Sequence, residues 1–69
     1  MKTEKIKVSG MSAGQGEQTV ENAVAAINGV ESVSANAEKD VVCVTFDPTI
    51  TDAVRIGNTI ERIGVNVVE

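Results

Sequence analysis

The chain has 69 residues, about half the usual length of a domain, so we expect a single domain spanning residues 1–69 with a small core. Hydrophobic residues make up 42% and charged residues 23%, which is ordinary globular usage and excludes a disordered chain. No apolar run is long enough for a transmembrane helix, and the first residues lack the apolar stretch of a secretory signal. We therefore expect a cytoplasmic protein that does not insert into membranes.

The net charge is −4, from six Lys and Arg residues against ten Asp and Glu residues. This balance argues against nucleic-acid binding, which needs a basic face, and the single aromatic residue, Phe46, cannot provide a base-stacking platform. The chain contains no His, so the commonest general base and metal ligand is missing, and we expect no enzyme activity. The one cysteine, Cys43, cannot form an internal disulfide, which is typical of a reducing compartment.

In the first half of the chain, the alternation of polar and apolar side chains over residues 5–8 predicts a strand. A helix is predicted next, beginning near Ala13 with a capping box of Ser12 and Gln15 and ending before Gly29. The apolar stripe of this helix consists of Val20, Ala23, Val24 and Ile27.

The middle of the chain predicts a β-hairpin. A second strand begins after Val30, and a turn at residues 39–40 joins it to a third strand over Val41–Phe46, which the Asp47-Pro48 pair ends. The apolar side chains that alternate along the second strand are Val33, Ala35 and Ala37.

A second helix follows the hairpin, and we expect Thr49 or Thr51 to cap it. Gly57 lies on the apolar face of this helix and predicts close packing there. The helix ends at Gly64, and residues 65–68 predict a short last strand. The apolar side chains of this helix are Ala53, Ile56, Ile60 and Ile63.

The predicted order β-α-β-β-α-β defines the fold class. Two interleaved β-α-β halves form an α+β, ferredoxin-like structure, in which a four-stranded antiparallel sheet carries both helices on one face. The other face of the sheet is expected to remain open to water. The predicted core residues of the covered face are Ile6, Val8, Val33, Val42, Val44 and Phe46.

The segment over residues 8–16, Val-Ser-Gly-Met-Ser-Ala-Gly-Gln-Gly, resembles the metal-binding loop of the heavy-metal-associated domain family. That family includes small copper chaperones and N-terminal modules of copper-transporting ATPases, and its loop reads Gly-Met-x-Cys-x-x-Cys. Gly10 and Met11 match this pattern, whereas Ala13 and Gly16 stand at the two cysteine positions. The resemblance continues at Gly29, Val30, Val44, Thr45, Phe46, Asp47, Pro48, Ile56, Ile60 and Gly64.

The resemblance implies that two thiolates would hold a monovalent copper ion in near-linear coordination, because a soft metal needs soft ligands. Ala13 and Gly16 carry no donor atom, so we expect neither a metal site nor any catalytic or cofactor-binding residue. Copper(I) or another soft metal is expected only if the family site were retained in another form. The degenerate loop consists of Gly10, Met11, Ser12, Ala13, Gly14, Gln15 and Gly16.

Other candidate ligands are expected to have ordinary structural roles. The resemblance implies that Met11 turns inward and packs under the loop, as a flexible thioether does in many cores. Cys43 is predicted to lie on the open face of the sheet, away from the loop. Asp47, Asp52 and Glu61 match no calcium-loop spacing, so we expect solvated surface charges rather than a site for a hard cation.

The resemblance therefore implies a protein of copper-chaperone or metal-transport type that has lost its metal site and acts as a docking or regulatory module. Its partner would be a protein, such as a related metal-transport domain, and the chain itself would be a monomer or a weak homodimer. Acidic residues on helix one and in the hairpin predict an acidic docking face beside the loop, which would prefer a basic partner. The alternative hypothesis is an ACT-like small-molecule-binding regulatory domain, which shares the β-α-β-β-α-β order.

Overall fold

The computed structural model describes residues 1–12 and 14–68. In that part of the chain the order is β-α-β-β-α-β, as the sequence predicts. The elements are β1 (Lys2–Ser9), α1 (Gln15–Ala25), β2 (Val30–Asn36), β3 (Val41–Phe46), α2 (Ala53–Arg62) and β4 (Asn66–Val67). Among the described residues, no helix is long and apolar enough to cross a membrane.

The described strands form one sheet in the order β2-β3-β1-β4, with antiparallel neighbours. Strand β1 therefore lies inside the sheet and pairs with β3 over Lys2–Lys7 and with β4 at Val8 and Ser9. Because the first strand lies between the third and the fourth, the two β-α-β halves interleave. The architecture is the ferredoxin-like fold that the sequence predicts.

The core lies between the sheet and the two helices. Five of the six predicted core residues of the sheet are buried, and Val33 is half-buried because β2 is an edge strand with a neighbour on one side only. The buried apolar side chains are Ile6, Val8, Met11, Val20, Val24, Val42, Val44, Phe46, Ile56, Ile60 and Val65.

The start of α1 corrects the sequence prediction. The helix begins at Gln15, and Gly14, with φ 71°, stands at its N-cap position. The backbone N–H of Gly14 donates to Oε1 of Glu17 at 3.3 Å, so Glu17 is the partner in the capping interaction, and the predicted Ser12–Gln15 box is wrong. A glycine adopts positive φ without strain, which sets the helix start there. Ala13, where we predicted the start, lies outside the described residues.

The start of α2 also differs from the prediction. Asp52 is the N-cap, and its Oδ1 accepts a hydrogen bond from the Arg55 backbone N–H at 2.8 Å. The positive end of the helix dipole also stabilises a carboxylate at this position. Thr49 instead donates to Asp47, and Thr51 is buried in the preceding turn, so neither threonine is the cap.

Several element boundaries differ from the pattern-based ones. Strand β1 begins earlier, at Lys2, and β4 is only two residues long. Helix α1 ends at Ala25, so Ile27 packs against the core from the turn that follows. The hairpin turn extends over residues 37–40, which removes Ala37 from the predicted strand. Pairing and turn geometry decide these ends, and hydrophobic periodicity does not report them.

Gly57 does not make the close packing that the sequence suggested. A Cβ atom built at this position would meet only Val67, with 3.8 Å to its Cγ2, which is an ordinary van der Waals distance. Gly29 is the glycine at a close approach, because its φ is 100° and a Cβ atom there would lie 2.7 Å from Cγ2 of Ile50.

These two glycines give opposite predictions for stability. We expect Gly57→Ala to stabilise the protein by about 0.5–1 kcal/mol, because alanine costs less conformational entropy in a helix. Gly29→Ala, the matched control, should destabilise by more than about 1 kcal/mol because it combines positive φ with a clash. Urea unfolding of both variants measures the free energies, and a destabilised Gly57→Ala would show that the α2–β4 contact is tight after all.

Candidate functional site

The loop between β1 and α1 begins with a glycine turn and a buried methionine. Gly10 has φ 84°, which turns the chain out of β1. The next side chain, Met11, is only 7% exposed and belongs to the core cluster. The predicted inward packing of Met11 is confirmed, and its thioether is therefore unavailable at the loop surface. This burial anchors the entry of the loop to the core.

A glycine in the first turn of α1 lies against the loop. A Cβ atom built on Gly16 would lie 2.5 Å from Oγ and 3.3 Å from Cβ of Ser12. The Ser12 hydroxymethyl group thus occupies the volume that a side chain at position 16 would need. A hydroxyl is a hard, uncharged oxygen, so the group that fills this volume is a poor ligand for a soft metal ion. Ala13, the other position without its family cysteine, lies outside the described residues.

A cleft of about 270 Å³ separates the loop from the turn between α2 and β4. Its loop side presents a hydroxyl, an amide and glycine backbone, and its other side is the segment over residues 63–65. None of the residues that line it is ionisable, so the cleft offers hydrogen bonds and an apolar wall without a fixed charge. The lining residues are Gly10, Ser12, Gln15, Gly16, Thr19, Ile63, Gly64 and Val65.

Cys43 lies on the opposite face of the sheet from the buried methionine. It is half-buried in β3, where Lys5 of β1 and Ser34 of β2 are its cross-strand partners. The neighbouring residues of β3, Val42 and Val44, are fully buried on the helix side. The predicted position of the thiol on the open face is confirmed, and the two sulfur atoms of Cys43 and Met11 do not converge.

The three carboxylates weighed as a hard-cation site do not form one cluster. Asp47 accepts two hydrogen bonds from Thr49, and Asp52 caps α2. Glu61 is exposed near the other end of the ten-residue helix, roughly 13 Å along the axis from Asp52 at 1.5 Å per residue. Asp47 and Asp52 therefore have local structural roles, beyond the solvated charges that we expected. Within residues 1–12 and 14–68, no three His, Cys, Asp or Glu side chains are grouped closely enough to hold an ion.

Two glutamates of α1 have contacts that sequence reasoning missed. Oε2 of Glu17 accepts a hydrogen bond from the Ala37 backbone N–H at 2.6 Å, and Oε2 of Glu21 accepts one from the Ala35 backbone N–H at 2.9 Å. Glu21 therefore covers the outer edge of β2 near its end, and Glu17 covers the first residue of the turn that follows, where backbone groups would otherwise be unpaired. The spacing of four residues places these side chains on one side of the helix and was the signal available in the sequence.

Comparison with known proteins identifies the family. The sequence model of the heavy-metal-associated domain matches residues 5–65, so the chain belongs to that family. ACT-like domains have the same order of helices and strands, but the family model that matches this chain is that of the heavy-metal-associated domain. No curated protein sequence matches the chain.

Solved structures of copper proteins resemble this one closely. A structure described as "CopZ metallochaperone" is 34% identical with a TM-score of 0.94, covering 97% of this chain and 100% of that one. A putative copper-ion-binding protein from Bacillus anthracis is 31% identical with a TM-score of 0.91, covering 97% and 94%. A copper binding domain from HMA7, a P-type ATPase, is 27% identical with a TM-score of 0.93, covering 100% and 96%.

The turn before α2 yields a pH prediction. The side-chain hydrogen bond from Thr49 and then its backbone hydrogen bond hold the pKa of Asp47 below its usual value of 3.8. Because folding lowers this pKa, the ionised Asp47 carboxylate stabilises the fold at pH values above the unfolded-state pKa. This contribution is lost as the pH falls through the folded-state pKa. We expect Thr49→Val to raise the pKa of Asp47 towards 3.8, as measured by carboxyl NMR shifts against pH.

Proposed function

We propose that this chain is a docking or regulatory module of metal-transport type, in which the family loop is kept without a soft-metal site. One observation carries the proposal: neither family cysteine position holds a sulfur, and the only thiol, Cys43, lies on the far face of the sheet. Family membership and the close likeness to copper-protein structures support the metal-transport context.

The chemistry of the loop supports the absence of a tight site. Monovalent copper prefers two soft ligands in near-linear geometry, and the loop offers a hydroxyl, an amide and backbone groups. The thioether of Met11 is buried, and the Ser12 hydroxymethyl group stands beside Gly16. A single chain with one cysteine and no histidine cannot assemble a two-thiolate site anywhere else.

The surface around the loop supports a docking role. Ser12, Gly14 and Gln15 are exposed at the tip, next to the uncharged cleft, while Met11 holds the loop from below. A partner can therefore meet a firmly anchored polar surface with an apolar wall at residues 63–65. The partner that fits this context is a soluble domain of a metal-transport protein, since one similar structure is a copper binding domain of a P-type ATPase.

The first test is a copper(I) titration under reducing, oxygen-free conditions, in competition with a colorimetric copper(I) chelator. We expect the chain to take no copper from the chelator. Ala13→Cys/Gly16→Cys should bind one equivalent tightly, because these are the two cysteine positions of the family loop that the chain resembles. The matched control is Ala13→Ser/Gly16→Ser, which adds side chains of similar size without sulfur. Tight one-to-one binding by the unmodified chain would overturn the proposal.

The Ser12 contact refines this experiment. A side chain at position 16 must displace the Ser12 hydroxyl, which is the far end of a flexible side chain and can rotate. Adding Ser12→Ala to the two-cysteine variant should therefore leave copper(I) binding equal or tighter. Weaker binding in the triple variant would mean that the hydroxyl supports the loop instead of filling the space beside Gly16.

The second test concerns the partner's charge. Glu38 and Asp40 are exposed in the hairpin turn beside the loop, so the docking face is expected to prefer a basic partner. We expect binding to a soluble copper-ATPase domain with a basic docking face to weaken as salt rises from 20 to about 200 mM. Glu38→Gln and Asp40→Asn should each weaken binding roughly threefold at low salt, since exposed ion pairs contribute little individually.

Binding is measured by titration calorimetry. The matched control is Glu31→Gln, at the other end of the hairpin, which should leave the affinity unchanged. Asparagine suits position 40, where φ is 53°, so the fold is preserved in that variant. Affinity that does not respond to salt would refute the acidic docking face. NMR shift changes confined to the open face of the sheet would refute docking at the loop.

A further inference from the structure

Both ends of the loop contact the same β2–β3 hairpin. At the entry, the Val8 backbone N–H donates to the Asp40 carbonyl at 2.9 Å. At the exit, Oε2 of Glu17 accepts from the Ala37 backbone N–H at 2.6 Å. The first and last residues of the hairpin turn are therefore bonded to the strand before the loop and to the helix after it.

The carboxylate of Glu17 has a second contact, to the loop itself. Its Oε1 accepts from the Gly14 backbone N–H at 3.3 Å, while Oε2 is bonded to Ala37. One side chain thus links the residue at which the loop becomes α1 to the start of the hairpin turn. Hydrogen bonds to an ionised acceptor are stronger than neutral ones, and the position in the first turn of α1 favours the negative charge.

Glu21 provides a natural comparison within the same helix. It lies one turn later, and its Oε2 accepts from the Ala35 backbone N–H of the same edge strand at 2.9 Å. The two glutamates therefore share residue type and helix, and both accept from the backbone of the same hairpin, Glu21 from β2 and Glu17 from the turn that follows it. They differ in that only Glu17 also bonds to Gly14, at the exit of the loop.

The composition of the loop makes such a contact consequential. Gly10, Gly14 and Gly16 give the segment more conformational freedom to lose than any other residue type would. Without a metal ion, order in the loop must come from protein contacts. Met11 provides one at the entry, where its side chain enters the core. At the exit, the Gly14 carbonyl accepts from the Gln18 backbone N–H at 3.0 Å, and the Gly14 N–H donates to the carboxylate of Glu17.

We propose that Glu17 is a positioning residue that holds the loop in its docking shape without a bound ion, by linking Gly14 to the hairpin at Ala37. The use of that shape rests on the proposed docking function. The link itself is measurable in the isolated chain, so its failure and the failure of the copper and docking tests are separate results.

The experiment is ¹⁵N relaxation and amide hydrogen exchange on the full chain and on Glu17→Gln. Glutamine keeps the size of the side chain but replaces one carboxylate oxygen with an NH₂ donor, so it cannot offer a separate charged oxygen to each of the two amides. We expect the order parameter of Gly14 to fall below about 0.6, and exchange at Ala37 to become at least about tenfold faster. The matched control, Glu21→Gln, should accelerate exchange at Ala35 and leave Gly14 unchanged.

Glu17→Asp separates reach from charge. It keeps the carboxylate but shortens the side chain by one methylene, so it should lower the order parameter of Gly14 as Glu17→Gln does. If the glutamine variant does not fold, the same measurement on Glu17→Asp replaces it. A Gly14 amide as ordered in Glu17→Asp as in the unmodified chain would overturn the proposal. Equal loosening of Gly14 in Glu17→Gln and Glu21→Gln would also overturn it, because a general loss of stability would then explain both.

Discussion

The burial of one face of the sheet under both helices is the constraint on which the rest of the molecule depends. Val42, Val44 and Phe46 alternate along β3 towards the helices and are almost completely inaccessible to solvent. In the described part of this short chain the buried apolar side chains form one cluster, so nearly all of the hydrophobic stabilisation comes from that single layer. Covering this layer brings the β1–α1 loop next to the α2–β4 turn, and the cleft between them is a consequence of how the core is covered.

The same layering separates the sulfur atoms of Met11 and Cys43. Met11 enters the core below the loop, whereas Cys43 faces the other side of the sheet. Coordination of a soft ion requires ligands that converge at one point, and a packed sheet lies between these two. The surface of the loop beside the cleft is polar and uncharged, and the buried Met11 side chain anchors the loop to the core.

The edges of the sheet show how charge is used for structure. Strand β2 has a neighbour on one side only. The carboxylate of Glu21 accepts a hydrogen bond from its Ala35 backbone N–H, and the carboxylate of Glu17 accepts one from Ala37, the first residue after the strand. This arrangement blocks pairing with another strand at that edge. It also ties α1 to the hairpin, so acidic residues that contribute to the surface potential are at the same time part of the framework around the loop.

Much of the fold is encoded locally and was predictable. The alternation in Val41–Phe46 gave the limits of β3, and the break at Gly64 placed the end of α2 within two residues. The resemblance of Gly10-Met11 and the absence of sulfur at positions 13 and 16 located the loop and its missing ligands. These features depend on neighbours in sequence, through side-chain periodicity, turn preferences and the presence or absence of a donor atom.

The sequence by itself therefore determined the order of elements, the family and the absence of sulfur at positions 13 and 16. Only the tertiary structure decided that Glu17, and not Gln15, meets the amide at the helix start, and that Ser12 fills the space beside Gly16. It also decided that Gly57 has room for a methyl group whereas Gly29 does not. The physical reason is that these contacts join residues brought together by packing and backbone direction, which hydrophobic periodicity along the chain does not encode.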